Sequence, residues 1–324
     1  MKTGITTGTA ATAAAKGALI YKLTGNIEKE VEVVLPDDSI VKIPLIFKNN
    51  LVGVKKWSRD DPDVTDGIEI FASVKILNEN RIIIKGGEGV GVVTKPGLQI
   101  PVGEAAINPV PRKMIEKNLK TVLNNNKGVE VTIIVPEGRK IAKKTFNERL
   151  GIIGGISIIG TTGIVKPMSI DALIESFKCE IDVLLAQKYN LLWLVPGNIG
   201  EKCLSKENIS PSVMVSNYFN EAFRYLKDKH IKEIGVAGHP GKIAKLAMGY
   251  FNTHSKNSPQ ANLFVKEVLN IDYNFNTIEE ICHKYSFDKI AYLVSKKIKE
   301  RFHFTKVSVK LFDVKCNKVG EYLE

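Results

Sequence analysis

Apolar positions change their spacing along the chain, and each spacing names an element. Val31, Val33 and Leu35 recur at every second place, and Ile40 and Ile43 follow across the Pro36-Asp37-Asp38 turn. This alternation predicts a β-hairpin. Ahead of it, the Ala-rich run AATAAAKGALIYKL predicts a helix capped by Thr9 or Thr12. Small residues on all its sides predict close packing, or a ligand at its N-terminus. GIEIFASVKIL, RIIIK and VEVTIIV read as strands, Ile141 to Thr145 as a short continuation, and a helix is predicted from Pro111.

The second half has a different rhythm. An apolar strand over Ile152–Ile159 is predicted to end in Gly160-Thr161-Thr162-Gly163 and lead to a helix over Ser169–Gln187. A strand over Leu191–Val195 ends in Pro196-Gly197-Asn198-Ile199-Gly200. A helix over Val213–Lys229 precedes a strand over Glu233–Ala237, which ends in Gly238-His239-Pro240-Gly241-Lys242 before a helix over Ile243–Phe251. Strands that repeatedly end in glycine loops and alternate with helices predict a parallel α/β sheet, whose ligands bind outside the carboxyl ends of the strands. The fold expected is therefore α+β with hairpins over residues 1–147, followed by a Rossmann-like parallel α/β domain over 148–324. Helices near 261–268, 278–283 and 290–301 and a strand over Lys306–Phe312 form its tail.

Candidate chemistry sits in the loops. Gly160–Gly163 at a strand-to-helix junction suits an anion, and equally suits a turn that lets a helix pack on a sheet. Gly155 to Thr162 nearly matches a P-loop, but Thr161 stands where the lysine is required. Gly86-Gly87-Glu88-Gly89-Val90-Gly91 reads either as a backbone nest or as a bulged hairpin, with Glu88 its one charge. Asp61, Asp63 and Thr65 have calcium-loop spacing, but Asp66 and Ala72 stand where an EF-hand needs Gly and Glu, so Asx turns are expected. Arg112 falls in a first helical turn, where a cation opposes the helix dipole unless an anion is near. Lys242 and Lys245 at a helix start suit an anion or a solvated face. His239 and His254 lack an identifiable third metal ligand.

Composition narrows the classes. The formal net charge of +11 suits a polyanionic partner, or equally plain solubility in a Lys-rich chain. No recognition helix, zinc finger or aromatic–basic alternation supports nucleic acid. No apolar run approaches the roughly 20 residues of a membrane span. Cys179, Cys203, Cys282 and Cys316 form no CxxC pair, which predicts reduced thiols in a cytoplasm and no thiolate zinc site. A homo-oligomer is left open.

TGITTGTAATAAAKGAL, DDPDVTDG, GGEGVGVVTKPGLQIPVGEAAINPVPRKMI, ERLGIIGGISIIGTTGIVKP and AGHPGKIAKLAMGYFNTHS together resemble the successive signature blocks of the cobalt-precorrin-5B C(1)-methyltransferase family of anaerobic cobalamin synthesis. The resemblance covers most of residues 3–255. Lys55–Arg59 replace a smaller lead-in and Ala105 stands where Pro is commoner; neither change removes a chemical group. The resemblance implies methyl transfer from S-adenosylmethionine to carbon 1 of a cobalt-containing ring, with the cobalt belonging to the corrinoid substrate and no protein-bound metal. The residues that would do this are inferred from loop placement. Gly160, Thr161, Thr162, Gly163, Gly197, Gly200, Gly238, His239 and Gly241 would line one donor crevice. Arg112, Arg149, Lys166 and Lys242 would clamp substrate carboxylates, and Glu88 and Asp61 would handle protons. The alternative is a nucleotide- or dinucleotide-dependent enzyme acting on a polyanionic small molecule.

Overall fold

Residues 3–123, 127–165 and 169–324 are described by the computed structural model, and the chain divides into two units at Ser169/Ile170. This is later than the 147/148 boundary read from composition. The reason is strand pairing that composition does not report. β10 (Ile152–Ile153) pairs antiparallel with β8 (Val92–Val93), and β11 (Ile164–Val165) pairs with β1 (Gly4–Ile5). The segment through Val165 is thereby tied into the first unit.

The rest of that unit is α1 (Thr7–Thr24), β2 (Glu30–Val34), β3 (Ile40–Pro44), β4 (Ile46–Lys48), β5 (Leu51–Lys55), β6 (Glu69–Leu77), β7 (Ile82–Gly86), α2 (Pro109–Lys120), β9 (Gly128–Ile134) and α3 (Gly138–Ala142). β2 and β3 form the predicted hairpin. A five-stranded sheet has the order β4-β5-β6-β9-β7, antiparallel except for β7 with β9. α1 lies on β5 and β6. Its Ala10, Ala11, Ala13, Ala14, Ala15 and Ala18 are buried, so the small residues serve close packing. Its cap is Thr6 rather than Thr9 or Thr12: the Thr9 N–H donates to Thr6 Oγ1 at 3.1 Å. Residues 138–142 are helical rather than a strand continuation, because Lys140 and Ile141 N–H both donate back to the Glu137 carbonyl.

The second unit comprises α4 (Ile170–Ala186), β12 (Leu191–Val195), α5 (Asn198–Lys206), β13 (Ser212–Met214), α6 (Phe219–Asp228), β14 (Glu233–Gly238), α7 (Pro240–Ala247), α8 (Asn262–Val268), α9 (Glu279–Cys282), α10 (Asp288–Phe302), β15 (Lys306–Phe312) and β16 (Lys318–Tyr322). Its sheet has the order β13-β12-β14-β15-β16; the first four strands are parallel and β16 is antiparallel. Leu192, Leu194, Val213, Ile234, Val236, Val307 and Val309 form one core with Ile181, Phe223, Ile243 and Ile298 from α4, α6, α7 and α10. Trp193, Val195 and Ala237 face the other way, onto Cys203 and Leu204 of α5. Helices therefore cover both faces, as the parallel rhythm predicted. β13 and α5 are differences from the reading: residues 213–214 belong to a strand rather than to the predicted helix, because Val213 pairs with Leu194. A further difference is the disulfide between Cys203 and Cys316, with Cα atoms 5.0 Å apart at positions 113 apart in sequence. Only folding brings that pair together. No helix among the described residues is long and apolar enough to cross a membrane.

Candidate functional site

The parallel sheet of the second unit has a switch point. From β12 the chain crosses by α5 to β13 on one side; from β14 it passes through α7 to α10 and reaches β15 on the other. The two connections leave in opposite directions, and in parallel sheets such a switch point, between the carboxyl ends of β12 and β14, is where ligands bind. The loops there are Pro196–Gly200 and Gly238–Lys242. They touch: a Cβ on Gly238 would stand 3.0 Å from Pro196, and one on Gly200 would stand 2.8 Å from the Ala237 carbonyl oxygen. Gly197 differs from both, since nothing lies within 4 Å of where its Cβ would be. It also begins α5 without a side-chain cap, which leaves first-turn N–H groups for an external acceptor.

The far side of the switch point carries charge. His239 caps α7, its Nδ1 accepting the Gly241 N–H at 3.1 Å. A nitrogen that accepts cannot hold the proton, so Nε2 carries it and donates to Glu279 Oε2 at 2.9 Å. Cys282 completes a cluster whose possible ligand atoms all lie within 4.8 Å. In this arrangement the imidazole is already engaged on both nitrogens. Nε2 has no free lone pair, and moving its proton to Nδ1 would set two donors face to face. Burial, with the Glu279 and Asp313 carboxylates, pushes the Cys282 thiol up to about 12, so in this metal-free arrangement it stays protonated at neutral pH. The cluster is a hydrogen-bonded support for the Gly238–Lys242 loop.

Lys242 and Lys245 follow on α7. Lys245 is buried, and its ammonium donates to the Thr253 carbonyl at 3.1 Å and Ser258 Oγ at 3.0 Å. Burial lowers its pKa. Burial, and then the Lys245 charge, lowers that of half-buried Lys242. Neither has a carboxylate in ion-pair range among the described residues. Two neighbouring ammoniums without a counter-ion leave a place for an anion.

The other predicted residues lie in the first unit. Gly160–Gly163 does not end a strand of the parallel sheet; only Ile152–Ile153 of the predicted strand is formed. The loop instead wraps the start of α1. Ile159 O accepts the Gly8 N–H at 2.9 Å, Gly163 O accepts Thr9 Oγ1 at 2.6 Å, and a Cβ on Gly160 would meet Thr6 Oγ1 at 2.4 Å. Thr161 and Thr162 are exposed. Two of the three loops thus end strands of the parallel sheet, while the third belongs to the first unit. In the Gly86–Gly91 cluster the N–H groups of Gly87 and Gly91 donate to Ile133 and Ile156. Gly89 has φ +71°, and a Cβ there would lie 1.8 Å from Val135 O. Gly138 and Gly155 press on Gly89 in turn, so these glycines serve backbone contact rather than a nest. Glu88 is exposed, its carbonyl accepting the Val135 N–H.

The acidic loop is built around an internal cation. Lys56 is 1% exposed and donates to Ser58 Oγ at 2.6 Å and Asp63 Oδ2 at 2.8 Å. The Thr65 N–H and hydroxyl donate to the other Asp63 oxygen, and the Ser58 N–H donates to Asp66. These are the Asx turns expected, with an ammonium where a calcium loop would hold its ion. Asp61 N–H donates to the Ser58 carbonyl in the same loop. Arg112 is in the first turn of α2, but its guanidinium donates to the carbonyls of Ile107, Ile84 and Ala105, with Glu104 at 3.4 Å. This is a brace between loops, not an open clamp. Arg112→Ala is expected to cost the first unit about 1–3 kcal/mol in urea unfolding and to leave carboxylate-ligand affinity unchanged. Arg149 lies over the Phe146 ring, 6.0 Å from its centroid. Lys166 lies outside the described residues.

Glu279 was missed in the sequence, and so was the helix α5, though Gly197 and Gly200 at its start were named. Gly197-x-x-Gly200 before Leu204 was a readable helix start. Glu279 lies forty residues from His239, and no local pattern joins them.

The CbiD family model matches residues 1–167. A cobalt-precorrin-5B C(1)-methyltransferase of Methanocaldococcus jannaschii is 42% identical, covering 99% of this chain and 96% of its own length. One from Treponema denticola is also 42% identical, over 92% of this chain and 86% of that protein. A crystal structure of a cobalamin biosynthesis protein from Archaeoglobus fulgidus aligns with a TM-score of 0.45 and 30% identity, covering 79% of this chain and 83% of that one. A family model that spans half of the chain and relatives that run nearly its whole length lead to one statement: the chain belongs to the CbiD family.

Proposed function

We propose that the protein methylates carbon 1 of cobalt-precorrin-5B, giving cobalt-precorrin-6A, with S-adenosylmethionine as donor. The methyltransferase assignment follows the names of full-length relatives. The donor site is our own placement, and the observation that carries it is the switch point with the open face of Gly197. The residues there suit this donor. Uncapped N–H groups at the start of α5 and the Lys242 ammonium offer donors to its carboxylate. Glu279, one-third exposed and fixed by His239, offers negative charge to ribose hydroxyls or a sulfonium. The donor supplies an electrophilic methyl group, so the protein's tasks are alignment and exclusion of water. The first unit is the proposed macrocycle cover. A cavity there of about 460 Å³ combines Leu51 and Phe71 with Lys48, Lys55, Glu69 and Glu137.

The direct test is anaerobic turnover of cobalt-precorrin-5B with S-adenosylmethionine, read by mass spectrometry. A gain of one methyl group is expected; unchanged substrate in the presence of intact, donor-binding enzyme would refute the reaction. Lys242→Ala is expected to weaken donor binding about tenfold, with partial recovery in Lys242→Arg. Equal affinity in all three proteins would remove Lys242 from the site. No observation favours the nucleotide-dependent alternative.

A further inference from the structure

A second group of cations lies at the opposite edge of the same sheet. α6 and α10 end beside each other there, leading into the amino ends of β14 and β15. Arg224, Lys227 and Arg301 surround a cavity of about 450 Å³, with Asp228 and Phe302 completing its wall. None of the three cations forms an ion pair among the described residues. Two are held in place by the core. The Arg301 guanidinium lies over Phe251 and Phe302, 5.1 and 5.7 Å from the ring centroids. Lys227 Nζ donates to the His303 carbonyl at 3.1 Å and lies 5.8 Å from the Phe304 ring centroid. Phe302 itself is 7% exposed and packs on Phe223 and Phe251.

Helix C-termini favour cations one at a time, which accounts for Lys227 and for Arg301. It does not account for Arg224, a turn earlier on α6, facing the same cavity. Three cations converging on a concave wall with only Asp228 to offset them repel one another unless an anion joins them. The Arg301 guanidinium is held against two rings, so less of its freedom is lost when its fork takes an oxyanion.

We propose that this cavity binds a small molecule bearing two or more phosphate or carboxylate groups. It is separate from the donor crevice, because β14 alone spans about 20 Å at the rise of an extended strand. The proposal does not depend on the reaction assigned above.

The test is calorimetric titration of the full chain with pyrophosphate and, separately, with citrate, at physiological ionic strength. One saturable site is expected for at least one probe, and the tighter probe identifies the oxyanion class. Arg224→Ala should weaken it about tenfold, and Arg301→Lys should weaken it while keeping the charge, since the fork is lost. Lys296→Ala, an equal charge change on the exposed side of α10, should leave it unchanged. Thermal unfolding of each variant checks the fold, and exposed Arg224 carries the result if Arg301→Lys proves unstable. Absence of a saturable site for both probes overturns the proposal. So does equal weakening by Lys296→Ala, which would mark diffuse attraction to a basic chain.

Discussion

Gly197→Val is expected to weaken binding of S-adenosylhomocysteine about a hundredfold, roughly 2.7 kcal/mol, in a protein that remains folded. The backbone at Gly197 has φ 170°, extended and open to any residue, and no atom lies within 4 Å of the added Cβ. The fold therefore has no steric objection beyond less than about 1 kcal/mol of lost N-cap preference. The isopropyl group instead fills the face by which a ligand would approach the α5 N–H groups. Gly200→Val is the contrasting variant. Its Cβ would meet the Ala237 carbonyl at 2.8 Å and Val195 at 3.0 Å, so stability and binding should fall together. Calorimetry with thermal unfolding separates the cases. Full affinity in folded Gly197→Val would place the donor elsewhere.

Asp63→Ala is expected to destabilise the first unit by about 3–5 kcal/mol, because it strands a buried ammonium. Lys56→Met should cost much less, since it removes the buried charge, and Asp63 is exposed enough to be hydrated, at 24%. Burial pushes the Asp63 carboxyl up, but the hydrogen bond and charge of Lys56, with the Thr65 donors, hold it below its ordinary value. A carboxyl lowered by folding contributes stability above its unfolded value of about 3.9, and that stability disappears as pH falls through the folded value. The wild-type unit should therefore lose stability on acidification below about pH 4, while Asp63→Ala lacks this component. Urea unfolding followed by fluorescence reads the effect near its source, since Trp57 adjoins Lys56 and the other tryptophan, Trp193, lies in the second unit. Equal losses for the two variants would show that Lys56 is not held by Asp63.

Several features were legible because their causes are local. Alternation at Val31, Val33 and Leu35 is enough to make a hairpin when Asp37 and Asp38 supply the turn. The loop around Asp63 was readable as Asx turns because Thr65 is two residues away. The strands over Leu191–Val195 and Glu233–Ala237, each entering a glycine loop, already implied a parallel sheet with ligands at its carboxyl edge. The long signature blocks carry the family resemblance in the sequence itself.

What a glycine or an arginine is for was not local. Gly160 and Gly238 each stand at the end of an apolar run, yet one presses on Thr6 and the other on Pro196. Arg112 has the sequence context of an anion clamp, but carbonyls from Ile84 to Ile107 occupy its guanidinium. The Cys203–Cys316 pair and the bond between His239 and Glu279 join positions far apart in sequence. By itself the sequence determined the elements, the two kinds of architecture and the family, because hydrogen bonding within a turn and the period of side chains act over a few residues. Only the tertiary structure decided which loops end strands of one sheet and which polar groups are already satisfied. Those outcomes depend on close packing between distant segments, where an ångström separates an open backbone from an occupied one.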